Sequence, residues 1–171
     1  MAIASPFPLK TWIDEHRHLL QPPVGNAMIW NSHFLVMVVG GPNQRTDYHI
    51  NPGEELFYQV EGDIVLKVID DGQPRDIPIK EGEIFLLPAR VPHSPQRPAH
   101  TVGLVVEQPK AFQENHHLRW YCPKCLAVVY DEEFRPADIG QQIKAILTKF
   151  HGSAALRTCK QCGTVHPVPA A

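Results

Sequence analysis

Several familiar classes are excluded by what this 171-residue chain lacks. No apolar run approaches the ~20 residues of a membrane helix. The longest, Phe34–Val39, has six. The first ten residues, Met1–Lys10, have neither a basic start nor an apolar stretch, so no secretory leader is expected. Basic residues are not in excess: 16 Lys and Arg face 18 Asp and Glu, for a net charge of −2. That balance offers no electrostatic footprint for nucleic acid, and no acidic block suggests a disordered tail. Scattered cysteines are also missing. All four lie in two Cys-x-x-Cys pairs, unlike the framework of a disulfide-rich secreted protein. These absences point to a cytoplasmic protein that binds neither membrane nor nucleic acid.

Proline, by contrast, is abundant: 17 of 171 residues, or 10%, against a usual ~5%. The prolines alternate with apolar runs along the chain, which argues against low-complexity disorder. Punctuation this frequent nearly excludes a bundle of long helices and favours many short strands. A helix is expected over Leu9–Leu20, capped by Thr11 with Asp14 three residues on, and stopped by Pro22 and Pro23. Its apolar stripe would be Leu9, Trp12, Ile13, Leu19 and Leu20. Strands follow at Phe34–Val39, read as a core strand, then at Leu56–Val60, Ile64–Ile69, Ile84–Leu87 and Val102–Val106. Turn residues separate them, as in an antiparallel sandwich or barrel. Beyond Pro109 the chain turns polar. A helix over Asp138–Phe150 carries a stripe of Ile139, Ile143, Ile146, Leu147 and Phe150, with Gly152 at its end. The expected division is a barrel with its N-terminal helix over 1–112 and an extension over 113–171. No internal repeat is present.

Two constellations carry chemistry. His49 and Glu55 flank a Pro52-Gly53 turn, and His93 lies on a proline-rich corner after the Ile84–Leu87 strand. Two imidazoles and one carboxylate on a rigid β scaffold are the ligand set of a non-haem Fe(II) site with one face open. Taken singly, each histidine is an ordinary polar turn residue; the pattern around the three gives them weight. Asp47 is either a fourth ligand or a turn cap, and its short side chain favours the cap. The second constellation is Cys122-Pro-Lys-Cys125 and Cys159-Lys-Gln-Cys162, with 33 residues between the pairs. Each pair is a turn that aims two thiolates at one ion, and together they close a four-sulfur site for zinc or iron. A closed site is structural, and it would hold folded a segment too small to bury a core alone. Other histidines receive plainer readings: His116 and His117 as solvated linker, His16 and His18 as decoration of the first helix, and His33 and His151 without partners at ligand spacing. Trp120 and Tyr121 would pack the cysteine knuckle onto the barrel.

Gly41, His49, Glu55 and Gly62, followed by Gly82, Pro88 and His93, resemble the two motifs of the cupin superfamily over residues 41–97. Asp47, Arg90 and Arg97 depart from that pattern. The cysteine pairs resemble rubredoxin-type knuckles. The combination, with Trp12–His16, Pro22–Asn26, Val38–Asn43, Arg45–His49, His93–Pro98 and Trp120–Cys122, resembles the 3-hydroxyanthranilate 3,4-dioxygenases of the bacterial, two-metal type. That resemblance implies a mainly β cupin (double-stranded β-helix, or jelly-roll) barrel with a few helices and a small C-terminal segment that binds metal through four cysteines. It implies Fe(II) on His49, Glu55 and His93, and a second iron or zinc on Cys122, Cys125, Cys159 and Cys162. It further implies a homodimer that opens the ring of 3-hydroxyanthranilate with O2. The product, 2-amino-3-carboxymuconate semialdehyde, closes to quinolinate, a precursor of NAD formed from tryptophan by the kynurenine route. Arg45, Arg97 and Glu107 would act on the substrate, with Asn26, Phe57 and Pro95 lining its site. The prolines then gather around the chemistry: Pro88, Pro92, Pro95 and Pro98 bracket His93 and Arg97, and Pro52 separates His49 from Glu55. The rivals are another cupin dioxygenase and a non-enzymatic cupin that binds a small molecule.

Overall fold

A computed structural model of the chain describes residues 3, 5–21, 25–108, 114–137 and 139–169. The expected stop at Pro22 and Pro23, the division near residue 112 and the helix start at Asp138 lie outside the described residues. The elements, in chain order, are α1 (Leu9–His16), a 3-10 turn (Arg17–Leu19), then β1 (Asn26–Asn31), β2 (Leu35–Gly40), β3 (Tyr48–Ile50), β4 (Glu55–Glu61), β5 (Ile64–Asp70) and β6 (Gln73–Ile79). They continue with β7 (Ile84–Leu87), β8 (His93–Gln96), β9 (Val102–Glu107), β10 (His116–Tyr121), β11 (Val128–Phe134), α2 (Ile139–His151) and α3 (Ala154–Arg157).

The strands form two antiparallel sheets, one ordered β1-β2-β9-β4-β7 and the other β11-β10-β3-β8-β5-β6. This is the mainly β architecture expected from the sequence. Period-two burial on β4 and β5 turns Phe57, Ile64, Leu66 and Val68 inward, where they pack with Ile79, Leu87 and Val105 between the sheets. On the outside of the five-stranded sheet, Ile13 of α1 and Leu20 pack on Ala27, Val38 and Val102. A third cluster joins Leu118, Trp120, Cys122 and Val129 to Ile146 and Phe150 of α2 and to Cys159. Trp120 stacks on Phe150 at 4.1 Å between ring centres and directs its indole N–H to Thr46 Oγ1 at 3.3 Å. Trp120 therefore does pack the knuckle onto the barrel.

Three local expectations are corrected. Thr11 caps nothing: Pro8 occupies the N-cap of α1 and no side chain bonds there. Proline suits a helix start because the N–H it lacks would be unpaired anyway. Phe34 is not a core residue; it is 58% exposed just before β2. His116 is no solvated linker, since it opens β10 and is fully buried. Strands β1, β3, β6, β8, β10 and β11 were not anticipated. β6 reads Gln-Pro-Arg-Asp-Ile-Pro-Ile, and its prolines and charges suit the sheet edge it occupies. The corner expected around His93 is strand β8. It meets β3 at the single pair His49–His93, which leaves room for Pro95 within it.

Candidate active site and metal centres

The register of the two sheets builds the site. His49 of β3 and His93 of β8 are directly opposite in one sheet. Glu55 of β4 and Glu107 of β9 are directly opposite in the other. The sheets face each other, so two imidazoles meet two carboxylates across the barrel interior. His93 Nε2 lies 3.2 Å from Glu55 Oε1 and His49 Nδ1 lies 3.7 Å from the same oxygen. His93 Nδ1 is 3.0 Å from the Val91 carbonyl and donates to it, so Nε2 keeps its lone pair for the interior. His49 Nε2 lies 2.8 Å from His116 Nδ1, which leaves His49 Nδ1 as its inward atom. One ligand atom from each of His49, Glu55 and His93 falls within 4.8 Å of the others, close enough to bind a single ion.

The electrostatics suit a cation. Burial holds His49 well below its ordinary pKa, ahead of any neighbouring charge. For Glu55, burial pushes upward, but His93, itself raised against its burial by Glu55, outweighs it as an imidazolium and the carboxyl falls to about 2. The proton between the two stands where a metal would displace it and take the Nε2 lone pair. Glu107 moves the other way. Its burial, together with the charge of Glu55, raises its pKa well above the usual carboxylate range. Asn51 reconciles the two acids. Its Oδ1 accepts from the Gly53 N–H at 2.9 Å, so its amide nitrogen must face inward. That nitrogen donates to Glu55 Oε1 at 3.0 Å and to Glu107 Oε2 at 2.9 Å.

A cavity of about 390 Å³ opens onto these groups, a size that suits a small aromatic molecule. Asn26, Arg45, His49, Glu55, Phe57, His93, Pro95, Arg97 and Glu107 all line it. Every residue singled out for metal or substrate in the barrel is thus brought to one place. Asp47 departs from its expected role as a turn cap. Fully buried, it takes both Nε and Nη2 of Arg45, and it is not among the three clustered ligands. Several contributors were missed, Asn51 among them. His116 shares one face of β10 with Leu118 and Trp120, a period-two signal visible in the sequence. Asn43 accepts the Arg97 N–H and donates to the Pro95 carbonyl, each at 2.9 Å, and so ties the loop before β3 to the end of β8. Gly140 and Ile143 of α2 wall the cavity, a contact that no local pattern announces.

The second centre is a knuckle pair at the far end of β10. Cys122 N–H donates to the Ala127 carbonyl and Leu126 N–H to that of Cys122; Cys159 N–H to Thr164 and Gly163 N–H to Cys159 repeat the pattern. Leu126 and Gly163 occupy the same position with φ of 60° and 73°. Glycine is comfortable there, whereas for leucine the conformation is uncommon. Cys122 Sγ stands 3.5 Å from Cys162 Sγ, and Cys125 Sγ stands 3.6 Å from Cys159 and 3.5 Å from Cys162. Sulfurs ~2.3 Å from a tetrahedral centre stand ~3.8 Å apart, so the four thiols fit one ion.

Comparison with known proteins agrees with this arrangement. The profile of the 3-hydroxyanthranilic acid dioxygenase family matches residues 1–151. A 3-hydroxyanthranilate 3,4-dioxygenase of Xanthomonas campestris pv. campestris (strain B100) is 52% identical over 98% of this chain and 95% of its own. The enzyme of the same name from Xanthomonas oryzae pv. oryzae (strain MAFF 311018) is 54% identical over 96% of this chain and 93% of its own. One from Neurospora crassa is 50% identical over 95% of this chain and 91% of its own. The chain belongs to the 3-hydroxyanthranilic acid dioxygenase family.

Proposed function

We propose that this chain opens the aromatic ring of 3-hydroxyanthranilate with O2. Both oxygen atoms enter the product, 2-amino-3-carboxymuconate semialdehyde, which loses water on closing to quinolinate, a precursor of NAD. One observation carries the reading: a single cavity presents the His49, Glu55 and His93 ligand set beside Arg45, Arg97 and Glu107. His49 Nδ1, Glu55 Oε1 and His93 Nε2 would hold Fe(II). Bound there, the metal supplies the one-electron chemistry that lets a closed-shell ring react with O2.

The protein's own residues bind, orient and accept a proton. Arg97 presents its planar fork to the substrate carboxylate, and Arg45, whose Nε and Nη2 are held by Asp47, lines the same cavity beside it. Glu107, opposite Glu55 on the neighbouring strand and lining the cavity, would accept the proton of the ring hydroxyl. Phe57, Met37 and Val105 give the ring a dry wall, and Pro95 and Asn26 complete the lining. The Cys122, Cys125, Cys159 and Cys162 centre takes iron or zinc in a structural role. The barrel over 1–112 supplies the metal ligands and charged groups of the cavity. The extension over 113–171 carries the cysteine centre and also adds β10 and β11 to one sheet and Gly140 and Ile143 to the cavity wall.

A homodimer is part of the same reading. Trp30, Val36, Val106, Leu56 and Leu86 are in register across all five strands of one sheet and form an apolar row on its outer face. Trp30 and Leu86 are more than half exposed. A flat apolar face suits self-association about a twofold axis. Among the described residues no helix is long and apolar enough to cross a membrane. The grouping of all four cysteines in Cys-x-x-Cys pairs favours a reducing compartment, the cytoplasm.

The test is direct. Iron-loaded protein mixed with 3-hydroxyanthranilate in air should consume O2 and form the yellow semialdehyde. No O2 uptake by protein with iron in its histidine site would overturn the reading.

A further inference from the structure

The two arginines of the cavity are treated in opposite ways. Arg45 is closed by Asp47, whose carboxylate meets its fork. Arg97 is only 3% exposed, yet among the described residues no carboxylate pairs with it. Its one side-chain partner among them is neutral: Nη1 donates to Gln59 Oε1 at 3.3 Å. Its Nε, also buried, has no acceptor among the described residues. A buried cation without a counter-ion is costly, and it persists in a fold where an incoming anion completes it. The side chain shows the strain of that state, since burial, with the charge of Arg45, pushes it down to about 10.

Two residues hold Arg97 in this condition. Gln59 is itself 1% exposed. Its amide nitrogen donates to the Glu61 carbonyl at 2.8 Å, which fixes the orientation of the amide and turns Oε1 to the guanidinium. Gly103 lies opposite Gln59 in the β4–β9 register. A Cβ there would stand 2.8 Å from Gln59 Oε1, 2.9 Å from Arg97 Nη1 and 3.2 Å from Nη2. Space is what glycine supplies here, because the fork lies directly over its Cα. A carboxylate at position 59 would hold Arg97 equally well but neutralise it. An amide orients the fork and leaves the charge for a ligand.

We propose that Gln59 and Gly103 are positioning residues that keep the Arg97 guanidinium aimed and unneutralised, and so impose the requirement for a carboxylate on the ring substrate. The proposal rests on the ring-opening reading for its substrate, but its test is a binding measurement that does not need turnover.

Gln59→Glu is nearly isosteric and carries the decision. Calorimetric titration of the metal-bound protein without O2 uses 3-hydroxyanthranilate, 2-aminobenzoate and 2-aminophenol, which lacks the carboxylate. Gln59→Glu should weaken both carboxylated ligands at least about 30-fold and 2-aminophenol less than about twofold. Gly103→Ala should reduce the same preference by pushing the fork aside. If that variant folds poorly, Gln59→Met, which keeps the volume and loses the acceptor, should do so in its place. An unchanged preference for the carboxylate in Gln59→Glu would overturn the proposal. If the wild type bound both carboxylated ligands with this preference but, given Fe(II) and O2, did not open the ring of 3-hydroxyanthranilate, the ring-opening reading would fail while this cradle stood.

Discussion

His116 Nδ1 lies 2.8 Å from His49 Nε2, in a buried pair that joins β10 to β3. When Nδ1 of His49 holds the metal, its Nε2 must carry the proton, and His116 Nδ1 then accepts that hydrogen bond. This fixes the tautomer and the ring plane of His49. His116→Phe fills the same space beside Phe134 without an acceptor. Such outer partners are worth about 10- to 100-fold in metal affinity. The variant should lose about that much affinity for Fe(II) at the histidine site, measured by competition with a chelator, while the cysteine ion stays bound.

Glu107→Gln keeps the hydrogen-bonding shape beside Asn51 but cannot accept a proton. General-base groups contribute about 10²- to 10⁴-fold. The expected result is a fall of that size in kcat with KM changed only slightly, read from O2 uptake under saturating substrate.

Cys122→Ser with Cys125→Ser should release the cysteine ion and lower Tm. Metal analysis by mass spectrometry should find about one ion per chain instead of two. Iron should remain with His49, Glu55 and His93. A folded variant that kept its iron and yet lost turnover would rule out a purely structural role for the knuckle.

Phe150→Ala removes the ring stacked between Trp120 and Tyr130. A fully buried aromatic replaced by alanine costs about 3–5 kcal/mol. Urea denaturation should show a loss of that size, because the cluster around Phe150 is the core on which both knuckles rest.

Pro95→Ala tests the role of the proline excess. Its ring lines the cavity, and its carbonyl is already fixed by Asn43. The substitution should raise KM by several-fold while stability changes by less than about 1 kcal/mol; an equal KM would show that the ring adds no useful stiffness.

The sequence disclosed the site better than the sheets. His49, Glu55, His93 and the four cysteines stand in motifs whose spacing is itself the signal. Strands such as Leu56–Val60 and Ile64–Ile69 announced themselves as short apolar runs separated by turn residues. By contrast, β3 is three residues long, and β8 contains Pro95, so neither has a local signature. Asp47 was misread because its partner, Arg45, is a charge two residues away rather than a backbone N–H. His116 was misread because polarity suggested solvent, and only the sheet order places it against His49.

The order of that sheet also bears on how its edges are kept from pairing with another chain. One edge is β6, broken by Pro74 and Pro78; the other is β11, which carries Asp131, Glu132 and Glu133. Proline and acidic charge are the usual guards against strand-to-strand aggregation. Deleting the chain from residue 114 onward would strip away the acidic guard and bare β3, whose main-chain groups now pair with β10. The shortened protein should precipitate or form sheet-linked oligomers during refolding, with thioflavin binding above that of the full chain treated in the same way.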